Sequence, residues 1–153
     1  MQIGFVGLGR MGGNMVHRLR RDSDIEVVAF DPDAKARQAA EGHGARAAAT
    51  LEELVGQLDA PRAVWMMVPA GEITETTLHT LLGLLDSGDT IIDGGNSNFH
   101  DTVARGEECA ARGINLVDAG TSGGVWGLEV GYCIMAGGDA AAVNRLRPVF
   151  DTL

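Results

Sequence analysis

The sequence predicts an α/β fold built on a doubly wound, mostly parallel sheet. Three observations carry that expectation. Short apolar runs of strand length alternate with helical segments along all 153 residues. That order gives parallel strands joined by right-handed helical crossovers, with both faces of the sheet covered. The first run, Ile3 to Val6, leads into Gly7-Leu8-Gly9-Arg10-Met11-Gly12-Gly13-Asn14, where three glycines follow the pattern G-x-G-x-x-G. The next strand ends on an acid, Asp31, which lies 19 positions after Gly12. A spacing of ~20 is the one at which a carboxylate meets a ribose in Rossmann-type sheets.

The elements follow in order. Gln2 to Val6 reads as a buried parallel strand, short, apolar and closed by glycine. A helix is expected from Arg10 to Arg21, with Met11, Met15, Val16 and Leu19 on one face. Ile25 to Phe30 is the second strand. Asp33 to Glu41 is an alanine-rich helix stopped by Gly42-His43-Gly44, and a weaker strand lies near Ala45 to Ala49. Thr50-Leu51-Glu52-Glu53 matches a capping box that opens another helix. Ala63 to Val68 is a strand stopped by Pro69, and Glu72 to Leu85 is helical. Thr90 to Asp93 is a strand, Asp101 to Arg112 a helix, and Ile114 to Asp118 a strand followed by a loop from Ala119 to Gly127. Tyr132 to Ala136 reads as a short strand and Ala140 to Leu153 as one helix. No internal repeat or linker divides residues 1–153, so they read as one domain.

Composition narrows the partners. A net charge of −9 and a pI near 4.7 argue against nucleic acid. They also require local features to hold any anionic ligand against an unfavourable overall field. The apolar start is short and runs into glycines, so it reads as neither a signal-peptide core nor a membrane span. No membrane association is expected, and the expected compartment is the cytoplasm. Cys109 and Cys133 lack metal spacing and read as reduced, buried small hydrophobes.

The glycine pattern implies a pyrophosphate site. The first glycine lets the chain reverse, the second removes a Cβ from the path of the phosphates, and the third lets helix and strand pack closely. The helix that starts there points unpaired N–H groups at the anion. Asp31 accepts hydrogen bonds from both ribose hydroxyls and repels a 2′-phosphate, which favours NAD over NADP. Its alternative role is to cap the next helix, with Pro32 just inside it. Asp33 adds a second negative charge, while Lys35 and Arg37 sit a turn further on and soften the repulsion. Pro69-Ala70-Gly71 either passes over the cofactor or simply ends a strand.

Two further stretches are harder to explain as scaffold. They are Ile91-Ile92-Asp93-Gly94-Gly95-Asn96-Ser97 and Gly120-Thr121-Ser122-Gly123-Gly124-Val125-Trp126-Gly127. Both lie past the C-terminal end of a strand, where ligands bind in open α/β sheets. Exposed backbone N–H groups beside Asn or Ser suit a carboxylate or a carboxamide. With the glycine turn, these two stretches and Met135-Ala136-Gly137-Gly138, the chain resembles 6-phosphogluconate dehydrogenase. The Asp-Gly-Gly-Asn-Ser stretch separates it from the related β-hydroxyacid dehydrogenases, which carry a different Ser/Thr-containing stretch there.

The resemblance implies that Gly7, Leu8, Gly9, Arg10, Met11 and Gly12 cradle the pyrophosphate, although the Arg10 side chain reads equally as facing solvent. It implies that Asp31, Pro32 and Asp33 face the adenosine ribose, that Val68, Pro69 and Ala70 line the cofactor, and that Asn96 touches both nicotinamide and substrate. Ser122, Gly123 and Gly124 would hold the sugar acid. The implied reaction is oxidative decarboxylation of 6-phosphogluconate to ribulose 5-phosphate, a pentose phosphate pathway step. The common NADP-using pattern has Asn-Arg-Thr where Asp31-Pro32-Asp33 stand, Lys at Pro69 and acids at Val125-Trp126. These departures resemble the NAD-preferring branch. The alternatives are a β-hydroxyacid dehydrogenase acting on a smaller acid and a non-catalytic NAD-binding module.

The family's general-base Lys, general-acid Glu, substrate-binding His-Asn pair and all-helical domain have no counterpart here. The chain's only lysine is Lys35, on the adenosine side. The chain therefore reads as the cofactor domain of a longer, homo-oligomeric enzyme whose catalytic residues fall beyond Leu153, with little or no turnover by itself. His17, His43, His79 and His100 read as surface or packing residues, with no metal site, although His100 lies close to Asn96. Met15, Met66, Met67 and Met135 read as core, and Met11 as near the cofactor. Trp65 belongs to a buried strand, and Trp126 either walls the substrate pocket or faces solvent.

Overall fold

A computed structural model describes the backbone of residues 1–153 and every side chain except that of Phe99. The chain forms one seven-stranded sheet with helices on both faces. The elements are β1 (Gln2–Val6), α1 (Arg10–Asp22), β2 (Glu26–Phe30), α2 (Ala34–Gly42), β3 (Arg46–Ala47), α3 (Leu51–Gly56), β4 (Ala63–Met66) and α4 (Glu72–Leu84). They continue as β5 (Thr90–Asp93), α5 (Phe99–Ala111), β6 (Asn115–Ser122), a 3₁₀ turn at Gly124–Trp126, α6 (Gly127–Val130), β7 (Cys133–Gly138), α7 (Ala140–Arg145) and α8 (Arg147–Thr152). The strand order is β3-β2-β1-β4-β5-β6-β7. Every pairing is parallel except β6 with β7. The expected Rossmann-type, doubly wound, mostly parallel sheet is the observed one.

Alternation along the central strands builds two cores. Ile3, Phe5, Trp65, Ile92 and Val117 face α1, α2, α7 and α8, with Phe5 stacked on Trp65 at 5.7 Å. Val28, Val64, Met66 and Ile91 face α3, α4 and α5 through Leu54, Leu78, Leu81 and Cys109. At roughly 25 cal/mol per Å² of apolar surface removed from water, such double-sided burial is the dominant stabilising term. The capping box at Thr50 forms with a shift: Thr50 Oγ1 accepts from the Glu53 amide at 3.1 Å, but Glu53 reaches back to the Ala49 amide at 2.8 Å.

Several expectations need correction. The expected loop from Ala119 begins later, because β6 runs on to Ser122, held by an antiparallel ladder that ends at the pair Ser122 and Cys133. The single helix over residues 140–153 is two, broken at Leu146, with Pro148 in the first turn of the second. A proline there lacks the N–H that a continuous helix would need. The helix expected from Asp101 starts at Phe99, since Asn98 caps it by accepting from the His100 amide at 3.0 Å. Cys133 and Met135 are exposed, not buried, because β7 is the edge strand and only its Ile134 side packs against the core.

Candidate active site

The glycine turn is shaped by main-chain contacts. Gly7 has φ +93°, and an added Cβ would overlap the Met67 carbonyl. An added Cβ on Gly12 would overlap the Gly7 carbonyl, so helix and strand approach as closely as the third glycine requires. Gly9 differs: a Cβ there would meet nothing within 4 Å. It would project into open space above the turn, where a bulky anion would approach. The first turn of α1 carries no acidic residue, and its N-cap, Gly9, makes no side-chain hydrogen bond. Its amides therefore remain available to an anion, at the positive end of the helix dipole. These features fit a pyrophosphate group.

β1 and β4 are neighbours whose following helices leave toward opposite sides, and a crevice opens between their C-terminal ends. It encloses about 380 Å³ and is lined by Val6, Gly7, Gly9, Phe30, Asp31, Pro32, Met67, Val68, Pro69, Ile73 and Thr77. Ligands of open α/β sheets bind at this switch point. Of the cofactor residues expected from sequence, Gly7, Gly9, Asp31, Pro32, Val68 and Pro69 meet here. Leu8, Arg10 and Gly9 also line a hollow of about 300 Å³ on the other flank of the turn, with Asn14 and His43. Met11 is half-buried against the core of that flank. Ala70 is exposed just past Pro69, and Lys35 is exposed on α2.

Asp31 has a structural task that its sequence position did not reveal. Its Oδ2 accepts from the Leu8 amide at 2.7 Å, which ties the end of β2 to the glycine turn. Its Oδ1 accepts from the Asp33 amide at 2.8 Å. The cap of α2 is Asp33, which accepts from the Lys35 amide at 2.9 Å, so Pro32 lies before the cap and not inside the helix. An ionised carboxylate offers about four acceptor sites, so two remain on Asp31 for further donors. Arg37 folds back, with Nη1 donating to the carbonyls of Asp31 at 2.7 Å and Pro32 at 3.2 Å.

The two loops expected at the substrate end are joined. Asn96, in the left-handed region at φ 55°, accepts from the Thr121 amide at 3.0 Å and donates from Nδ2 to the Thr121 carbonyl at 3.1 Å. This pairing fixes which end of the amide is oxygen, and it leaves one N–H and one lone pair free. The position a Cβ would take on Gly120 lies 3.7 Å from the Met135 methyl and 3.9 Å from Asn96 Oδ1. The exposed methionine therefore borders this region instead of filling the core. Ser122 ends β6, and Gly123 and Gly124 lead into the 3₁₀ turn, all three exposed. Trp126 is 74% exposed.

Sequence reasoning missed what holds these loops. Asp93 does not face the ligand side; it is 1% exposed, and its Oδ1 accepts from the Gly95 amide at 3.1 Å. Its Oδ2 accepts from the Ser97 hydroxyl at 2.7 Å and pairs with Arg105 Nη1 at 3.0 Å. Its register partner, Asp118, lies on β6, and burial, with the charge of Asp93 adding to it, pushes that carboxyl above the usual range. The helix α6 that follows the second loop is tied to α1 and α8 by Arg18, whose Nε donates to the Thr152 carbonyl at 2.9 Å and whose Nη1 donates to the Leu128 carbonyl at 3.1 Å. Neither arginine lies in a recognisable pattern, because each acts across more than ten residues of chain. His17 and His43 are also brought together, stacked at 3.7 Å between α1 and the end of α2. Among the described residues, no group of His, Cys, Asp and Glu is arranged to hold a metal ion, and no helix is long and apolar enough to cross a membrane.

Residues 2–153 match the family model described as the NAD binding domain of 6-phosphogluconate dehydrogenase. The NAD(+)-dependent, decarboxylating 6-phosphogluconate dehydrogenase of Haloferax volcanii is 45% identical over 153 residues, which is all of this chain and 50% of that protein. The chain thus spans about half the length of this relative. Plasmodium falciparum 6-phosphogluconate dehydrogenase, solved apo, with NADP+ and with 6-phosphogluconate, superposes with a TM-score of 0.89 at 25% identity, over 98% of this chain and 33% of that one. Mycobacterium tuberculosis 3-hydroxyisobutyrate dehydrogenase superposes at 0.83 with 27% identity, over 99% of this chain and 51% of that one.

Proposed function

This chain belongs to the family of NAD-binding domains of 6-phosphogluconate dehydrogenase, and from that premise we propose that it binds NAD in preference to NADP and serves the oxidative decarboxylation of 6-phosphogluconate to ribulose 5-phosphate. The observation that carries the cofactor preference is the Asp31 carboxylate at the rim of the crevice, tied to the glycine turn and backed by Asp33. A 2′-phosphate at that corner meets two carboxylates against the single guanidinium of Arg37, while ribose hydroxyls meet acceptors.

When bound, NAD supplies a hydride acceptor. The residues of this chain bind and orient. The amides at the start of α1 and the open face of Gly9 receive the pyrophosphate. Asp31 and Pro32 hold the adenosine end, and Val68 and Pro69 form the opposite wall, with Ala70 following. Asn96 stands at the junction of nicotinamide and sugar acid, and Ser122, Gly123 and Gly124 offer a hydroxyl and amides to the acid. Proton transfer contributes roughly 10²–10⁴-fold in such reactions. The one lysine of this sequence, Lys35, lies on the adenosine side, so the chain alone turns over little or no substrate. The similarity to 3-hydroxyisobutyrate dehydrogenase supports a second reading, a smaller hydroxy acid in the same place.

Titration of the chain with NAD and NADP tests the cofactor reading. NAD is expected to bind at least about tenfold more tightly, a difference of roughly 1.4 kcal/mol. Asp31→Ser is expected to shrink that margin while leaving the chain folded. Equal dissociation constants in the parent chain sink the assignment. Competition of 6-phosphogluconate against 3-hydroxyisobutyrate for the NADH-loaded chain separates the two substrate readings.

A further inference from the structure

We infer that Arg105 is a positioning residue: a buried post that ties the Asn96 loop to the wall of the cofactor crevice and sets the shape of the substrate end. The inference rests on the functional reading above. Arg105 lies on α5 and is 2% exposed. On one side its Nη1 meets Asp93 Oδ2 at 3.0 Å. On the other its Nε donates to Glu75 Oε1 at 2.8 Å, with Nη2 2.6 Å from the same oxygen. Glu75 belongs to the first turns of α4, between Ile73 and Thr77, which line the crevice. Asp93 in turn holds the Gly95 amide and the Ser97 hydroxyl on either side of Asn96. Asn96 then grips both main-chain groups of Thr121. A continuous run of charge-assisted and neutral hydrogen bonds therefore leads from the cofactor wall to the second loop, with one guanidinium at its centre.

The chemistry requires an arginine at this node. A planar guanidinium presents five donors in a rigid fork and spans two carboxylates at once, whereas an ammonium is a point charge that reaches one. A carboxylate as buried as Asp93 is tolerated only when paired and hydrogen-bonded, so the loop geometry around Asn96 depends on the pairing. Ligand pressure on α4 reaches Asp93 through the same group, since Glu75 and Asp93 are held by one rigid plane.

Amide hydrogen exchange on the whole chain, with and without NAD, tests this. Arg105→Lys keeps the charge and shortens the reach. It is expected to raise exchange at Gly95 and Thr121 by about tenfold or more while the β4 amides change by less than about threefold. NAD is expected to slow exchange at Thr121 in the parent chain, and saturating NAD is expected not to do so in Arg105→Lys. Glu75→Gln, at a half-exposed position, cuts only the α4 branch. It should abolish the NAD effect at Thr121 while leaving Gly95 protected. Unchanged exchange at Gly95 and Thr121 in Arg105→Lys with an intact core overturns the proposal. So does a uniform rise across α5 and β4, which marks Arg105 as ordinary scaffold. If the parent chain fails to bind NAD, the functional reading falls, and the ligand-free exchange still decides the role of Arg105.

Discussion

The glycine turn and the two loops joined by Asn96 hold their shapes by different means. The turn is made of main chain: Gly7 against the Met67 carbonyl, Gly12 against the Gly7 carbonyl, and one side-chain tie from Asp31 to the Leu8 amide. The loops are made by side chains brought from elsewhere. Arg105 on α5 holds the first through Asp93, Arg18 on α1 holds α6 just after the second through the Leu128 carbonyl, and Asn96 links the two. Backbone amides suit an anion without help from side chains, so a turn of this kind needs few of them. Loops of this length keep a fixed shape only when side chains buttress them from the scaffold.

The sharpest way to break this contrast is to add a methyl group to the turn. Gly12→Ala places a Cβ into the Gly7 carbonyl, and no flexible side chain is there to yield. Overpacking of this kind costs about 1–3 kcal/mol of stability, and the moved helix terminus is expected to lower NAD affinity about 100-fold, roughly 2.8 kcal/mol. Gly9→Ala is the matching control, since its Cβ meets open space. Its urea midpoint should stay near that of the parent while NAD affinity falls. If Gly9→Ala binds NAD as the parent does, the anion does not pass over Gly9, and the turn is scaffold alone.

The loops are expected to respond in the opposite sense. Arg18→Met keeps the apolar stem and removes the donors to Thr152, Leu128 and Glu129. Hydrogen bonds to charged groups contribute about 1.5–3 kcal/mol, and a loss in that range is expected from urea unfolding. NAD affinity should stay within about threefold of the parent, because no part of the turn is touched. A large fall in NAD affinity would show that α1 itself had moved and that the two regions are not held independently.

This difference also explains what the sequence disclosed. The order of strands and helices, the glycine turn and the acid at the end of β2 were legible because each is local: periodicity, glycine spacing and a residue at a known offset. The positions of both loops were legible for the same reason. Their construction was not. Asp93 reads in sequence as part of a ligand-facing stretch, yet it is buried under Arg105, 12 residues away. Asp31 reads as a choice between ribose contact and helix cap, and the structure gives the cap to Asp33 and spends Asp31 partly on Leu8. Met135 and Cys133 read as core by composition. They are exposed because β7 is the antiparallel edge strand and only its Ile134 side packs against the core. Long-range pairing of side chains and the identity of the edge strand are tertiary facts, and no local pattern encodes them.

The smallest effect concerns the one titratable contact beside the turn. His17 on α1 stacks on His43 at the end of α2, and His43 borders the same hollow as Leu8, Gly9 and Arg10. Burial holds the His17 imidazole below its ordinary value, and the positive charges of His43 and then Arg21 add to this, against the opposing carboxylates of Asp22 and Glu129. The folded value thus lies under the unfolded one of about 6.5. Between the two, the unfolded chain binds more protons than the folded one. The contribution is therefore fully present above about pH 6.5 and declines as pH falls below it. Urea midpoints at about pH 7.5 and pH 5.5 should show this as a modest acid-side loss, smaller than the effect of Arg18→Met. His43→Gln removes the neighbouring imidazole from the stack and should reduce the loss. An acid-side loss of the same size in His43→Gln would place the sensitivity outside the α1–α2 contact. The stack on the flank of the turn would then take no part in the acid response.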